Sequence, residues 1–228
     1  MQTPPSNQPG PAFVHAATRD WPAYFAAVRG REPRETLLGA LKSFDAERAL
    51  DADVPPLAVD IGCGEGRDTA ELLRWGWRVL ATDAHPDALA LTTGRDDLPA
   101  SQPNRAPLET RLSPMEHLTL PACQLVNASF ALPFCPPGAF AELWDRITSA
   151  IEPGGRFAGQ FFGPDDTWAS LPDRSHHSRD EVSAMLTGFD IEHFEEENRP
   201  GATHDGQSKH WHVFHVIARK RNDRLPNQ

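Results

Sequence analysis

Two spacings of apolar residues take turns along the chain. From Trp21 they recur three and four apart, as Trp21, Tyr24, Phe25 and Val28 and then, after Pro33, as Leu37, Leu38, Leu41 and Phe44. That period gives a helix one apolar face. Leu57 to Ile61 is instead a short apolar run ending in a glycine turn, and Arg67 to Arg74 returns to helical spacing with Leu72 and Leu73. The pattern predicts two helices followed by strand, turn and helix.

A second unit repeats the order: Trp77 to Thr82 as strand, Asp83 at its end, and a helix opening near Pro86, where proline suits a first helical turn. After a proline-rich loop from Pro99 to Pro107, Leu108 to Leu112 and Gln124 to Ala128 read as strands three and four. Pro136 to Ile151 reads as a helix stopped by Pro153-Gly154-Gly155, and Arg156 to Phe162 as strand five. Such alternation implies a parallel sheet with helices on both faces, because parallel neighbours need crossovers. After a helix from Arg179 to Leu186, Ile191 to Glu195 and His210 to Ala218 are strands joined by a loop from Asn198 to Ser208 with no helix between, hence antiparallel. No internal repeat appears.

With 228 residues and 39% hydrophobic content the chain can close one sizeable core. Residues 1–17, rich in Pro, Gln, Asn and Ser, predict an unstructured arm, residues 18–221 the folded domain and residues 222–228 a flexible tail. A formal charge of −10 repels phosphate backbones and argues against nucleic acid as a partner. Cys63, Cys123 and Cys135 are too scattered for a disulfide framework or a zinc knuckle and suit a reducing cytoplasm. The first residues do not read as a signal peptide, and no apolar run approaches the ~20 residues that cross a bilayer.

The candidate chemistry lies at Asp60-Ile61-Gly62-Cys63-Gly64-Glu65-Gly66, where strand gives way to helix and ligands bind in open α/β sheets. A dinucleotide fingerprint needs a further glycine where this chain has Arg67. A carboxylate at Asp60 repels a pyrophosphate yet can hold an ammonium group, directly or through water. Asp83, 17 residues beyond Gly66, is placed to accept hydrogen bonds from both hydroxyls of a ribose. Either aspartate alone could simply cap a turn. Together with the glycines they point to S-adenosylmethionine, which carries an ammonium group and no phosphate.

Val59 to Gly66 resembles the first motif of the class I S-adenosylmethionine-dependent methyltransferases, and Thr82-Asp83 the second. Leu125-Val126-Asn127-Ala128-Ser129-Phe130-Ala131-Leu132 resembles the fourth, and Ile151 to Phe157 the segment after it. Within that class, Gly66-Arg67-Asp68-Thr69 is similar to the small tellurite-resistance-like group, and the likeness runs from about Trp21 to Arg221. The resemblance implies a Rossmann-like, doubly wound, mostly parallel seven-stranded α/β sheet in the order 3-2-1-4-5-7-6, strand seven antiparallel. It also implies a cofactor site of Asp60, Gly62, Cys63, Gly64, Gly66, Arg67, Asp83, Ala84, Met115, Glu116, Asn127 and Ala128. Ser113-Pro114-Met115-Glu116 departs from the third motif, so adenine is held either by Glu116 or by backbone groups and Met115.

Methyl transfer from a sulfonium is a single displacement that needs alignment and a dry pocket, not a protein nucleophile. In this architecture the acceptor pocket lies beyond strands four and five. Its candidate walls are Phe130, Phe134 and Cys135, then Phe161, Phe162 and Trp168, with the helix of Trp21, Tyr24 and Phe25 closing over them. Each also suits ordinary core packing. Lys209, His210 and His212 on the reversed last strand come near the mouth, and His176 and His177 lie in the loop after strand five. His210, His176 and His177 are the candidate general bases, against a plain surface role; their spacing supports no metal. Glu195-Glu196-Glu197 reads as a solvated strand end, with attraction for a cationic acceptor as the alternative. The expected acceptor is a small molecule methylated on nitrogen, oxygen, sulfur or a chalcogen. A non-catalytic module that binds the cofactor, a nicotinamide oxidoreductase and an RNA methyltransferase using Arg219-Lys220-Arg221 are the competing readings.

Overall fold

The computed structural model describes residues 19–47, 55–99 and 108–222. The expected arm over 1–17, residues 100–107 of the proline-rich loop and residues 223–228 of the tail lie outside the described residues. The elements in order are α1 (Trp21–Val28), α2 (Glu35–Glu47), β1 (Leu57–Ile61), α3 (Arg67–Arg74), β2 (Arg78–Asp83), α4 (Pro86–Thr93), β3 (Leu108–Leu112), β4 (Cys123–Ala128), α5 (Pro137–Ala150), β5 (Ile151–Phe162), α6 (Arg179–Met185), β6 (Phe189–Ala202) and β7 (Ser208–Lys220). The strands form one sheet in the order β3-β2-β1-β4-β5-β7-β6. β1 to β5 run parallel, and β7 pairs antiparallel with both β5 and β6.

Both faces of the sheet are covered, because strand side chains alternate. Val59, Ile61, Val126, Phe157, Phe161, Phe214 and Val216 turn to one side and pack against Phe140, Leu143, Trp144 and Ile147 of α5 and Val182 of α6. Ala58, Val79, Ala81, Leu125, Ala158 and Ile217 turn to the other and meet Leu37, Leu41 and Phe44 of α2 and Leu72 and Leu73 of α3. Burying each Leu or Phe contributes roughly 1.5–3 kcal/mol. Arg156, fully buried on β5, is neutralised by Glu47 of α2 at 2.5 Å and Glu192 of β6 at 2.7 Å, which fastens α2 to the edge hairpin of the sheet.

Two expectations are corrected. Strand five starts at Ile151, not Arg156: Cys123 pairs with Ile151 and Leu125 with Arg156, and a bulge absorbs the residues between, with Gly154 at φ +81°. The loop expected from Asn198 to Ser208 is mostly sheet. Pairing continues from Asn198 with His212 to Ala202 with Ser208, and Thr203 N–H donates to Gln207 O at 2.9 Å to close the turn. β6 is an exposed edge strand, so its polar residues show no alternation, and Pro200 is tolerated at a sheet edge.

Candidate active site

The glycine turn bends back on β2. Gly62 and Cys63 donate their N–H groups to the Thr82 carbonyl at 2.8 and 3.0 Å. Gly62, Gly64 and Gly66 have φ of +67°, +57° and +81°, the left-handed region where a side chain costs energy. A Cβ on Gly62 would lie 2.6 Å from that of Ala131, and one on Gly66 would lie 2.8 Å from Thr92 Cα. Asp83, at the end of β2, accepts N–H groups from Gly64 at 3.0 Å and His85 at 2.9 Å. Burial raises its carboxyl above the ordinary value, and these donors pull against that rise.

A cavity of about 420 Å³ opens over this turn, large enough for a nucleoside-sized ligand. Gly62, Gly64, Asp83, Ala84, Met115 and Glu116 all line it, as do His85, Ser113 and Pro114, which the sequence reading did not assign as cofactor contacts. The Met115–His117 stretch is a 3-10 turn, and Arg146 Nη2 donates to the Met115 and Glu116 carbonyls at 3.4 and 3.0 Å, fixing it. Among the described lining residues are three carboxylates, Asp83, Glu116 and Asp173, and no lysine or arginine. Such walls repel a pyrophosphate and suit a cationic sulfonium nucleoside with an ammonium group.

The remaining expected cofactor residues stand behind the cavity wall. Asp60 does not line it: its oxygens accept from Thr69 Oγ1 at 2.6 Å and Asn127 Nδ2 at 2.8 Å, so a direct grip on an ammonium group is not what the geometry offers. Asn127 also reaches Asp68 at 3.3 Å, and Arg67 Nε meets the other Asp68 oxygen at 3.1 Å. Cys63 is buried against Thr92, Gly66 caps α3 with its backbone, and Ala128 is fully buried. These residues shape the turn from within.

A second cavity, of about 270 Å³, adjoins the first, and Tyr24, Phe130 and Phe134 line both. Phe130 is the one non-glycine among the described residues with positive φ, at 55°, and its N–H is held by Gln160 Oε1 at 2.9 Å. Strained backbone at a shared wall is a mark of a site whose shape is imposed by its surroundings. Trp168 lines this chamber, together with Phe162 and Trp211. Phe161 does not: strand alternation turns it to the opposite face, against Trp144, Phe157 and Phe140. Cys135 is likewise buried in the core.

The expected bases also fall elsewhere. None of His210, His176 and His177 lines either cavity. His210 Nε2 faces Asn198 Oδ1 at 2.6 Å, while His177 packs 4.3 Å from the Phe140 ring and His176 5.8 Å from that of Phe162. Burial lowers the pKa of both loop histidines. His212 is buried between Asp165 N–H and Glu196, and Lys209 is buried in an ion pair with Asp166. The face of β7 opposite His210 and His212, which carries Lys209, Trp211 and His215, is the one turned to the chamber, with the Trp211 and His215 ring centroids 6.4 and 6.0 Å from that of Phe130. The histidine in the chamber is His204, in the turn after β6. Its Nδ1 lies 3.4 Å from Arg19 Nη2, and burial first, then the Arg19 charge, keep its imidazole below the ordinary value. No spacing signal marked it, because its turn was read as part of a longer loop.

Charges assigned to binding are used internally. Glu196 pairs with Arg179, and Glu197 with Arg199, so the acidic run offers little to a cationic acceptor. Lys220 donates to the Thr148 and Ile151 carbonyls, Arg219 to that of Gly154, and Arg221 pairs with Asp190. No described helix is long and apolar enough to cross a membrane.

Residues 58–155 match a sequence family described as a methyltransferase domain. No curated protein sequence matches the chain. Among solved structures, TehB from Haemophilus influenzae superposes with a TM-score of 0.62 at 15% identity over 79% of this chain and 62% of that one. The chain thus spans less than two thirds of TehB. Magnesium protoporphyrin IX methyltransferase from Synechocystis, with bound S-adenosylhomocysteine, gives a TM-score of 0.61 at 12% identity, covering 88% and 94%. The 1,6-didemethyltoxoflavin-N1-methyltransferase of Burkholderia thailandensis gives 0.55 at 20%, covering 82% and 79%. Residues 58–155 are thus similar to a methyltransferase domain, and the chain shares the fold of solved structures named as S-adenosylmethionine-dependent methyltransferases.

Proposed function

We propose that this methyltransferase, whose cofactor is S-adenosylmethionine, methylates a small molecule seated in the aromatic chamber beside the cofactor cavity. The observation that carries the reading is the junction: an acidic cavity over the glycine turn and an aromatic chamber share Tyr24, Phe130 and Phe134 as a common wall. Two of the structural neighbours are named for small-molecule substrates, a toxoflavin precursor and magnesium protoporphyrin IX, which supports an acceptor of that size class.

Bound over the turn, S-adenosylmethionine supplies an electrophilic methyl group on a positively charged sulfur. Asp83 would accept hydrogen bonds from its sugar, the 3-10 turn at Met115 and Glu116 would receive its base, and Gly62 and Gly64 would let the backbone approach. Tyr24, Phe130 and Phe134 exclude water where the two cavities meet and fix the line of approach. The bound cofactor would supply that methyl to an acceptor lone pair by direct displacement, with the sulfur keeping the electron pair of the broken bond. A proton on the acceptor passes to His204, held neutral by burial and Arg19, or to water. The three cysteines, all free and buried, fit a cytoplasmic protein.

The test is incubation with methyl-labelled S-adenosylmethionine and fractionated cell extract. Label appearing in a metabolite, with S-adenosylhomocysteine formed in step, is the expected result. Label confined to macromolecules, or no turnover with any fraction, contradicts it.

A further inference from the structure

The aromatic chamber holds positive charge that its own walls do not balance. Arg19, Arg31, Arg34 and Arg199 line it, against a single carboxylate, Glu197. One Glu197 oxygen pairs with Arg199 at 2.8 Å and the other meets His215 Nε2 at 3.2 Å. None of the other three arginines forms an ion pair with a described carboxylate. From Arg34, Asp68 accepts the backbone N–H at 3.1 Å and not the guanidinium, its oxygens being shared with Arg67 and Asn127, and exposed Asp205 is held by Thr203 and Gln207.

Arg34 and Arg19 are also partly withdrawn from water, while Arg31 is exposed at the rim. Arg34 Nε is buried without a hydrogen-bond partner, its guanidinium 4.3 Å from the Phe130 ring centroid. Arg19 lies 5.0 Å from the Trp21 ring centroid, 4.8 Å from Tyr24, 5.5 Å from Phe134 and 5.3 Å from Trp168. Desolvation is the leading influence on both, lowering their pKa. Ring faces attract a guanidinium but leave its in-plane N–H donors open, and those donors match an oxyanion. Arg34 stands apart from the other two, stacked on Phe130 at the shared wall with its backbone N–H tied to Asp68. Arg19 and Arg31 are then left, both acting electrostatically on His204.

We propose that the methyl acceptor is a flat organic acid, a planar ring frame bearing a carboxylate that is read by Arg19 and Arg31. The frame packs among Phe130, Phe162, Trp168 and Trp211. A cavity of about 150 Å³ admits one benzene ring, so about 270 Å³ has room for one or two fused rings. The inference rests on the chamber being the acceptor site. It explains why a chain of net charge −10 gathers four arginines around one aromatic hollow.

The test titrates 2-naphthoate, its neutral isostere 2-naphthamide and inorganic phosphate into the protein, alone and saturated with S-adenosylhomocysteine. Naphthoate is expected to bind at least tenfold more tightly than the amide in both states and more tightly than phosphate. Arg19→Gln should remove that gap and Arg31→Gln narrow it, with S-adenosylhomocysteine affinity changed less than twofold. Equal affinity for acid and amide, or no binding of either to the unmodified protein, overturns the proposal. Phosphate binding as tightly as naphthoate overturns the planar frame. Absent S-adenosylhomocysteine binding with the acid preference intact counts against the cofactor reading alone.

Discussion

The Asp83 carboxylate accepts the backbone N–H of Gly64 at 3.0 Å, so the end of β2 is tied directly to the glycine turn that follows β1. Asp83→Ala removes both this tie and the proposed acceptor for a ribose. Losing charge-assisted hydrogen bonds costs about 1.5–3 kcal/mol. S-adenosylhomocysteine affinity measured by calorimetry should therefore fall more than tenfold; an unchanged affinity contradicts the assignment.

Gly66→Ala places a side chain on a φ of +81° and within 2.8 Å of the Thr92 Cα. The left-handed conformation alone costs roughly 1–2 kcal/mol for a non-glycine residue, and the overlap adds to it. Gly138→Ala, in α5 with open space around its Cβ, should be neutral or slightly stabilising. Thermal unfolding of the two variants gives the comparison, with a clear fall in Tm expected only for the first.

The turn, Asp83 and the strand order were legible because each is a local pattern repeated by topology: apolar run, glycines, helix, and an aspartate at the end of the next strand. The aromatic chamber was half legible. Phe130, Phe134 and Trp168 follow strands whose ends must face the site, but the side that each β7 residue takes depends on a hairpin register set by an edge strand with no apolar alternation. His210 was therefore favoured where Trp211 faces the chamber, and His204 went unmarked. The arginines were invisible as a group, since Arg19, Arg31, Arg34 and Arg199 meet only when α1, the α1–α2 link and β6 fold together.

His210→Ala should leave turnover within about twofold, because its ring faces Asn198 and not a cavity. His204→Asn should slow transfer to acceptors that must lose a proton. The lowered His204 pKa means that the neutral ring persists below the ordinary histidine range, so activity should fall only as pH drops through that lower value. Rate against pH for both variants separates the roles; a large loss in His210→Ala, with His204→Asn unaffected, contradicts them.

Asp60 is buried beside Asp68, and burial first, then that charge, push its carboxyl up to about 7. A carboxyl raised on folding contributes stability that is complete below its unfolded pKa and lost as pH rises through the folded value. Asp60→Asn keeps the shape and lets the Thr69 hydroxyl turn to accept. Its stability relative to the parent should therefore improve from pH 5 to pH 8 in urea unfolding, and a constant difference contradicts the linkage.

A crystal structure with S-adenosylhomocysteine tests the central claim most directly. Its ribose is predicted on Asp83, its base beside Met115 and Glu116, and its sulfur facing the wall of Tyr24, Phe130 and Phe134. A ligand seated away from the turn between Gly62 and Gly66, or a phosphate-bearing nucleotide bound there in its place, contradicts the account.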